Sequence, residues 1–307
     1  MKYLKRFFKI LKDTGVAFSD DDCLKLSASL SYYTIFALAP LLIIIISLTG
    51  IFFGKEAIRG KVYEELNGLV GSEAALQIQQ IIANIQMTHA TTAGTIIGGI
   101  ILFIGATGVF TEIQGSINFI WSVKAKPKKS WRKYLINRLL SFSLILGLGF
   151  LLIISLIASA LLDLANDRLI VHFPKTTVYF FQTFNTLILL VIITGLFTVI
   201  FKVLPDAKIS WRDALVGSAF TAILFLAGKF LISFYLAKSR LGITYGTAAS
   251  IIIILTWVYY SSLILYFGAE FTKIFALQSG HGIKPKSTAV FIIKKESREI
   301  PLSRLDT

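Results

Sequence analysis

The sequence predicts an all-α polytopic membrane protein with six transmembrane helices and with both chain termini in the cytoplasm. Three observations lead to this prediction. Hydrophobic residues make up 55% of the 307-residue chain, only 16% of the residues are charged, and long apolar stretches alternate with basic segments. Soluble domains carry roughly 25% charged residues, so a water-soluble fold is not expected for this chain.

Six stretches are long and apolar enough to cross the hydrocarbon core, which takes about 20 helical residues. They fall at residues 28–53, 93–119, 138–163, 178–203, 213–236 and 246–272. Together they form a predicted six-helix transmembrane domain at residues 24–276. An amphipathic cytoplasmic segment (1–23) precedes it. A basic cytoplasmic tail (277–307) follows, and we expect this tail to be mobile because it is mostly polar.

The distribution of Lys and Arg predicts the orientation, because cationic loops are retained on the cytoplasmic side. The N-terminal flank, the loops after the second and fourth spans, and the tail hold 23 of the 31 cationic residues, whereas the alternate loops hold 7. Six crossings satisfy this bias, and one span more or fewer would destroy it. Membrane topology therefore explains the net charge of +14, and no nucleic-acid partner is predicted.

The first outer loop, residues 54–92, contains an amphipathic pattern. Five apolar residues recur there with helical spacing among Gln and Asn: Leu76, Ile78, Ile81, Ile82 and Ile85. This spacing predicts short amphipathic helices over the outer membrane surface.

The fifth span begins with a capping box, Ser210-Trp211-Arg212-Asp213. In this motif the Ser210 side chain accepts a hydrogen bond from the Asp213 N–H, and the Asp213 side chain reaches back to the Ser210 N–H. We therefore interpret Asp213 as a helix cap rather than a binding residue.

The candidate functional residues are polar groups inside the spans, because such groups tend to face a cavity or a partner. Thr107, Thr111, Gln114 and Asn118 follow at i, i+4, i+7 and i+11 and share one face of the second span, beside Glu112. Two interpretations stay open. This face packs against neighbouring helices, or it lines a cavity that opens to the cytoplasm.

Charged residues in the spans are few. Lys229 lies about 7 residues, or roughly 10 Å, from the outer end of the fifth span. Its ammonium group either reaches the outer surface along its stem or faces the bundle interior and binds an anionic group. Glu112 and Glu270 lie near cytoplasmic ends of spans, where we expect structural ion pairs. The candidate partners are Arg132, Arg138 and Arg212.

The first and sixth spans supply the other candidates. The first span begins with Ser31 and Tyr32 in a polar half and is interrupted by Pro40, which kinks a helix. A broken helix with a polar half is typical of transporter sites and also of plain structural kinks. The candidates in the sixth span are Trp257, Tyr260 and Ser261.

No catalytic chemistry is predicted. The three histidines, His89, His172 and His281, lie far apart along the chain and do not have metal-ligand spacing. Phosphate-loop, nucleophile-elbow and zinc-helix motifs are missing from the sequence. We therefore expect no catalytic residue, no metal and no cofactor. Cys23, the single cysteine, is interpreted as a packing residue.

Three stretches stand out in this order along the chain: ASLSYYTIFALAPLLI (28–43), GATGVFTEIQGSINFIW (105–121) and GTAASIIIILTWVYYSSLILYFGAEFT (246–272). Together they resemble the YihY/BrkB family of bacterial inner-membrane proteins. The resemblance covers about residues 24–276. It implies six spans with cytoplasmic termini, a multi-pass location in the bacterial inner membrane and a role in envelope integrity. The family once carried the label ribonuclease BN.

These observations predict a transporter or flippase for an amphiphilic or anionic cell-envelope molecule, with Lys229 and the 107–118 face as binding residues. Its partners would be membrane lipids and an anionic or amphiphilic small-molecule or lipid substrate. Since no ATP-binding motif is present, a gradient or a partner would drive it. The alternative is a non-transporting membrane scaffold for envelope assembly, and ribonuclease activity is not expected. A monomer and a dimer are both compatible with the sequence.

Overall fold

The computed structural model describes residues 2–37, 67, 71–87, 108–126, 176–239, 244–245 and 248–293. These residues are mainly helical, as the sequence predicts. The predicted span at 138–163 lies outside the described residues, and so do the predicted site residues Pro40 and Thr107.

The described part of the chain contains seven long helical segments. They are α1 (Lys2–Asp20), α2 (residues 23–37), α3 (Ser72–Met87), α4 (residues 108–120), α5 (Thr176–Val203), α6 (Trp211–Lys238) and α7 (Ala249–Gln278). Within the described residues, three helices are long and apolar enough to cross a membrane: α5, through Thr186–Val203, α6 and α7. These three coincide with the last three predicted spans. α2 and α4 coincide with parts of the first two.

Helices α6 and α7 cross closely through small residues. A Cβ atom at Gly217 of α6 would overlap the side chain of Thr272, and a Cβ atom at Gly268 of α7 would overlap that of Thr221. Each threonine hydroxyl donates to the carbonyl oxygen four residues earlier in its own helix, so the crossing leaves no hydroxyl unsatisfied. Small residues let helices approach in a membrane, where packing drives helix association.

Among the described residues, the largest apolar cluster joins α2, α4, α5, α6 and α7. Ile117 of α4, Phe201 of α5 and Ala269 of α7 are completely or almost completely buried in it. Trp121, just after α4, is also buried, and its Nε1 donates to the Ala269 carbonyl oxygen at 3.0 Å. Cys23 lies in the same cluster at 0% exposure, which confirms its packing role.

Four short strands gather the loops at one end of the bundle, which we call the strand end. They are β1 (Val123–Ala125), β2 (Ala207–Lys208), β3 (Lys284–Pro285) and β4 (Ala289–Phe291). β1, after α4, pairs antiparallel with β4, and β2, between α5 and α6, pairs antiparallel with β3. The chain after α7 therefore connects the loops that follow α4 and α5.

The prediction of a mobile tail is wrong for residues 279–293, which supply β3 and β4. Ile283 and Ala289 of this segment are buried in the main apolar cluster. Gly280 and Gly282 adopt positive φ angles of 80° and 62°, which turn the chain out of α7 at little steric cost. The described fold is therefore helical with two short strand pairs, and not purely all-α.

Helix α1 is amphipathic, as predicted for the N-terminal segment. Ile10 and Thr14 are buried, whereas Lys5, Lys9 and Lys12 are exposed. The helix lies against α7, and Ile10 packs in a cluster with residues of that helix.

Helix α3 covers much of the amphipathic pattern predicted for the first outer loop. It packs against α6 and α7, with Ile78 buried and Leu76 40% exposed. A helical segment is therefore confirmed there, and it contacts the bundle directly.

Replacing Gly268 by Val tests the close crossing of α6 and α7. Overpacking a tight core lowers the free energy of unfolding by about 1–3 kcal/mol. A cost is expected here because Thr221 cannot move away without shifting its helix. We expect Gly268→Val to lower the Tm of the purified protein in detergent. The control is Gly195→Ala in α5, where a Cβ meets no atom within 4 Å. Equal Tm values for Gly268→Val and the unsubstituted protein would contradict the crossing.

Candidate functional site

A groove of about 820 Å³ opens near the strand end between α1, α6 and α7. Its polar lining consists of Arg6, Arg212, Asp213, Gln278, Ser279 and His281. Its apolar lining consists of Phe7, Ile10, Val216, Phe220, Ile223, Phe271 and Phe275. The groove thus combines charged groups with a large apolar wall.

Helix α6 contributes one continuous face to the groove. Arg212, Val216, Phe220 and Ile223 follow at i, i+4, i+8 and i+11, so they lie in a row along the helix. The row is about 16 Å long, roughly half the thickness of the hydrocarbon core. The face therefore begins at a charged residue and continues as an apolar wall, and the whole row is about as long as one lipid leaflet is thick.

Three phenylalanines fix the three helices around the groove. Phe220 of α6 stacks on Phe271 of α7 with ring centroids 3.8 Å apart. Phe7 of α1 packs edge-on against both rings, at 6.4 Å from each. Each such aromatic pair contributes about 0.5–1.5 kcal/mol beyond the burial of its surface. The shape of the groove is thus set by direct side-chain packing.

Two guanidinium groups lie in the polar part of the groove. Arg6 Nη2 donates to the Gln278 carbonyl oxygen at the end of α7, at 2.8 Å. Arg212 is exposed in the first turn of α6. Within the described ranges, neither arginine has a carboxylate at salt-bridge distance. Because guanidinium groups bind phosphates and carboxylates through paired hydrogen bonds, this part of the groove is suited to an anionic group.

Asp213 makes only half of the predicted capping box. Ser210 Oγ accepts from the Asp213 N–H at 3.1 Å, which confirms the cap. The completely buried Asp213 carboxylate does not return to Ser210, and its Oδ2 lies 3.2 Å from His281 Nδ1. The His281 side chain is 51% exposed and lines the groove. The Asp213 carboxylate therefore lies next to His281, and a histidine predicted to lie in a mobile tail belongs to the groove.

A second charged cluster lies where the end of α1 meets α7. Lys273 Nζ lies 3.1 Å from Glu270 Oε2 and 3.3 Å from Asp21 Oδ2. Glu270 therefore forms an ion pair, as predicted, and among the described residues its partner is Lys273 of the same helix rather than Arg212. Arg212, one of the three arginines considered, lines the groove instead. The other two lie outside the described residues.

The polar face of α4 binds a buried aspartate of the loop after α5. Asn118 Nδ2 donates to Asp206 Oδ2 at 3.1 Å, and the Asp206 N–H donates to Asn118 Oδ1 at 2.8 Å. Gln114 Nε2 adds a hydrogen bond of 3.3 Å to the same carboxylate oxygen. The Asp206 carbonyl oxygen accepts from the Lys286 N–H of the tail at 2.9 Å. Gln114 and Asn118 therefore hold the loop of Asp206 at the strand end, which agrees with the packing interpretation of this face.

Other predicted site residues lie outside the groove lining. The Ser31 hydroxyl donates to the Ala28 carbonyl oxygen at 2.8 Å, within its own helix. Tyr32 is exposed and packs edge-on against Phe36, with ring centroids 5.0 Å apart. The Ser261 hydroxyl donates to a carbonyl oxygen one turn earlier, at 2.9 Å.

The remaining predicted residues also make packing contacts or lie at the surface. Trp257 packs edge-on against Phe225 of α6, and Tyr260 would be touched by a Cβ atom at Gly228. Half-buried Lys229 places its Nζ 5.2 Å from the ring centroid of the next residue, Phe230. Thr111 is exposed. Glu112 is half-buried and has no salt bridge within the described ranges.

Comparison with known proteins decides the family. The model of the family described as "Virulence factor BrkB" matches residues 15–290 of the chain. The chain belongs to the BrkB family. The resemblance drawn from the three sequence motifs is thereby confirmed.

The BrkB-family chain is similar to curated proteins named UPF0761 membrane protein. Those of Pseudomonas aeruginosa, Saccharophagus degradans and Alcanivorax borkumensis are 28%, 25% and 23% identical over 250, 260 and 291 residues. The alignments cover 79%, 84% and 91% of this chain and 57%, 58% and 62% of those relatives. The chain thus spans about three fifths of the relatives' length. No solved structure matches it. Both its apolar helices and its similarity to these proteins show that the chain is a membrane protein.

Most groove residues of this BrkB-family chain were missed by the sequence-based prediction. The row that begins at Arg212 and continues through Val216 and Phe220 was available as a helical pattern, since it puts a cation at the head of an apolar stripe. Asp206 was also visible, because an aspartate directly after Pro205 ends a long apolar helix. No comparable local sequence pattern predicts that α1 lines the groove with Arg6, Phe7 and Ile10.

Asn118→Ala tests the connection between α4 and the strand end. The substitution removes two hydrogen bonds to Asp206 and leaves its buried carboxylate with Gln114. Hydrogen bonds to charged groups contribute about 1.5–3 kcal/mol, so we expect the free energy of unfolding in mixed micelles to fall by about this amount. The matched control is Gly115→Ala on the same helix, where an added Cβ atom meets no atom within 4 Å. The connection is refuted if both variants unfold alike.

Proposed function

We propose that this protein is a transporter or flippase that moves an anionic phospholipid-like amphiphile across the bacterial inner membrane. The groove between α1, α6 and α7 is the observation that carries the proposal. An anionic amphiphile needs cationic hydrogen-bond donors for its headgroup and an apolar wall for its chain, because a buried charge must be paired. Arg6 and Arg212 offer the donors, and the row from Val216 to Ile223 offers the wall.

The proposal replaces the binding surface that the sequence predicted. Asn118 and Gln114 already bind Asp206, so these two side chains of α4 have little hydrogen-bonding capacity left for a ligand. Lys229 does not line the groove. The class of substrate stays as predicted, and its binding residues move to the groove.

The proposal also places the strand end in the cytoplasm, with six spans in total. The support is geometric, since three segments with a predicted cytoplasmic location meet at this end through the pairs β1–β4 and β2–β3. Their cationic residues include Lys124, Lys126, Lys208, Lys284 and Lys286. Clustered cations at the cytoplasmic surface attract anionic headgroups, so the groove would take its substrate from the inner leaflet.

The double variant Arg6→Gln/Arg212→Gln tests the groove as a lipid site. We expect it to bind a fluorescent anionic lysophospholipid about 10–100-fold more weakly in nonionic detergent, because it loses charge-assisted hydrogen bonds worth about 1.5–3 kcal/mol. The control is Lys12→Gln/Lys25→Gln, which removes the same charge at exposed positions outside the groove and away from the strand end. Equal weakening in the two double variants would show a general charge effect and would overturn the proposed site.

Transport is then measured in proteoliposomes with a headgroup-labelled anionic phospholipid. The unsubstituted protein should speed its movement between leaflets, and the groove variant should do so less. Specific binding with no movement would overturn transport and favour the scaffold alternative.

Cysteine labelling tests the proposed orientation. Lys208 and Lys284 are exposed at the strand end, and the native Cys23 is completely buried, so a membrane-impermeant maleimide should react only with introduced cysteines. We expect single variants Lys208→Cys and Lys284→Cys to be labelled in inside-out vesicles and protected in intact spheroplasts. Leu76→Cys in α3 should show the opposite pattern. The orientation is wrong if the two patterns are exchanged.

A further inference from the structure

The polar part of the groove contains a carboxylate that is hidden from solvent and lacks hydrogen-bond donors. Asp213 is completely buried in the first turn of α6, yet it belongs to the groove lining. Within the described ranges, neither of its two carboxylate oxygens accepts a hydrogen bond. An ionised carboxylate in such a place is strongly unfavourable unless a positive charge lies beside it. A neighbouring residue must therefore supply that charge.

His281 is the neighbour in question. Its Nδ1 lies 3.2 Å from Asp213 Oδ2, which is ion-pair distance. Arg212 precedes Asp213 in the sequence, but successive side chains of a helix do not face each other. Among the described residues, Arg212 makes no ion pair. The imidazolium form of His281 therefore compensates the buried carboxylate, and the neutral form does not.

A turn with two glycines determines where His281 lies. Gly280 and Gly282 flank it and have φ angles of 80° and 62°, which residues with a Cβ atom rarely adopt. The Gly282 N–H donates to the Ala276 carbonyl oxygen at 3.0 Å, so the chain folds back onto the end of α7. The turn thereby holds the imidazole ring beside the first turn of α6, where Asp213 lies.

The second ring nitrogen of His281 is available to a ligand. Both nitrogens of an imidazolium donate hydrogen bonds, and Nδ1 is the one next to Asp213. In the part of the chain that the structure describes, Nε2 has no hydrogen-bond partner. The side chain is 51% exposed and lines the groove. It therefore offers a third cationic donor beside the guanidinium groups of Arg6 and Arg212.

The helices around the groove present few other titratable groups to His281. Helix α6 contributes Arg212 and Asp213 to the lining, and α1 contributes Arg6. Asp13 of α1 lies outside the lining and accepts a hydrogen bond from the last residue of α7. The other lining residues of α7 are uncharged. Among the described lining residues, His281 is thus the side chain of the type that changes charge near neutral pH.

The charges of the lining match a doubly charged headgroup. Arg6, Arg212 and the His281 imidazolium carry three positive charges, and Asp213 offsets one of them. Two net positive charges remain. A phosphate monoester carries nearly two negative charges at neutral pH and has three acceptor oxygens, whereas a phosphodiester carries one negative charge. The charged groove therefore complements a monoester better.

We propose that His281, paired with Asp213, is the third headgroup-binding residue of the groove and that it selects an amphiphile with a phosphate monoester over one with a phosphodiester. This selectivity rests on the proposed function, because it specifies the headgroup of the same substrate. Arg6 and Arg212 bind the phosphate of either lipid. The imidazolium adds the second net positive charge and one hydrogen bond, and Asp213 positions the ring and stabilises its charged form.

Selectivity is measured by the binding of lysophosphatidic acid and lysophosphatidylglycerol with the same acyl chain, in nonionic detergent at neutral pH. We expect the unsubstituted protein to bind the monoester about tenfold more tightly, which corresponds to one charge-assisted hydrogen bond. His281→Gln should bind the two lipids alike. His281→Lys keeps a positive charge and should keep the preference.

Two controls accompany this measurement. Lys12→Gln removes one positive charge at an exposed position outside the groove and should keep the preference. Loss of the preference in Lys12→Gln would show a general charge effect and would overturn the role of His281. Glycerol phosphate has the monoester without an acyl chain and should bind at least about tenfold more weakly, because it leaves the apolar wall unfilled. Equal binding of glycerol phosphate would overturn the amphiphile in favour of a soluble phosphate ester.

The role of Asp213 is measured through the pH dependence of lysophosphatidylglycerol binding, since the phosphodiester keeps its charge near neutral pH. The affinity of the unsubstituted protein should fall as the pH rises and His281 loses its proton. His281→Gln and His281→Lys should remove this dependence. Asp213→Asn should shift it to lower pH by about one unit, because the imidazolium loses its compensating carboxylate. This variant keeps the N–H that Ser210 caps, so it is expected to fold.

The outcomes separate this selectivity from the proposed function. Equal affinity of the unsubstituted protein for the two lipids, or an undiminished preference in His281→Gln, overturns the selectivity. The proposed function then still stands if Arg6→Gln/Arg212→Gln weakens the binding of both lipids. Binding of neither lipid, or binding that the arginine substitutions leave unchanged, overturns the proposed function and the selectivity together. An unchanged pH dependence in Asp213→Asn overturns the pairing of Asp213 with His281.

Discussion

The close crossing of α6 and α7 is the contact on which the rest of the described structure depends. A glycine of each helix faces a threonine of the other, so the backbones approach without a gap. A bilayer offers no hydrophobic driving force between helices, and such packing therefore selects the arrangement. Because of it, the first turns of α6 lie beside the last turns of α7. The groove occupies the space that these turns and α1 enclose.

A second constraint acts at the strand end. Polar groups of the loops there lie close to apolar helices and need hydrogen-bond partners. The loops after α4 and α5 obtain backbone partners from the returning chain through β3 and β4. Asp206 obtains side-chain partners from Asn118 and Gln114 of α4. A buried carboxylate with these hydrogen bonds holds its loop in one position. The segment after α7 also places His281 Nδ1 3.2 Å from the buried Asp213 carboxylate.

The sequence predicted the parts of the fold that depend on composition and length. The bounds of α5 and α6 lie within two residues of the expected spans and those of α7 within six, because apolar length is a local property. The return of the tail was missed because pairing of β3 with β2 joins residues far apart in sequence, and a polar segment looks mobile when its partner is unknown. The Ser210 cap was predicted correctly, since a cap is local.

The candidate site was harder to predict for the same reason. Arg6 and Gln278 meet at the groove although almost the whole chain separates them, and no local pattern indicates that contact. Lys273 is a different case. It lies three residues after Glu270, a spacing that places two side chains on the same helix face. The choice of a distant arginine as partner came from predicted topology, and the local partner was overlooked.

Photo-crosslinking in cells tests the proposed lipid site most directly. A photoreactive phenylalanine analogue at Val216 would lie in the groove, and the same analogue at Phe230, which is 70% exposed on α6 outside the groove lining, reports the surrounding bilayer. Mass spectrometry then identifies the attached lipids. The proposal predicts that anionic phospholipids are enriched at Val216 relative to Phe230. The same lipid composition at both positions would contradict it.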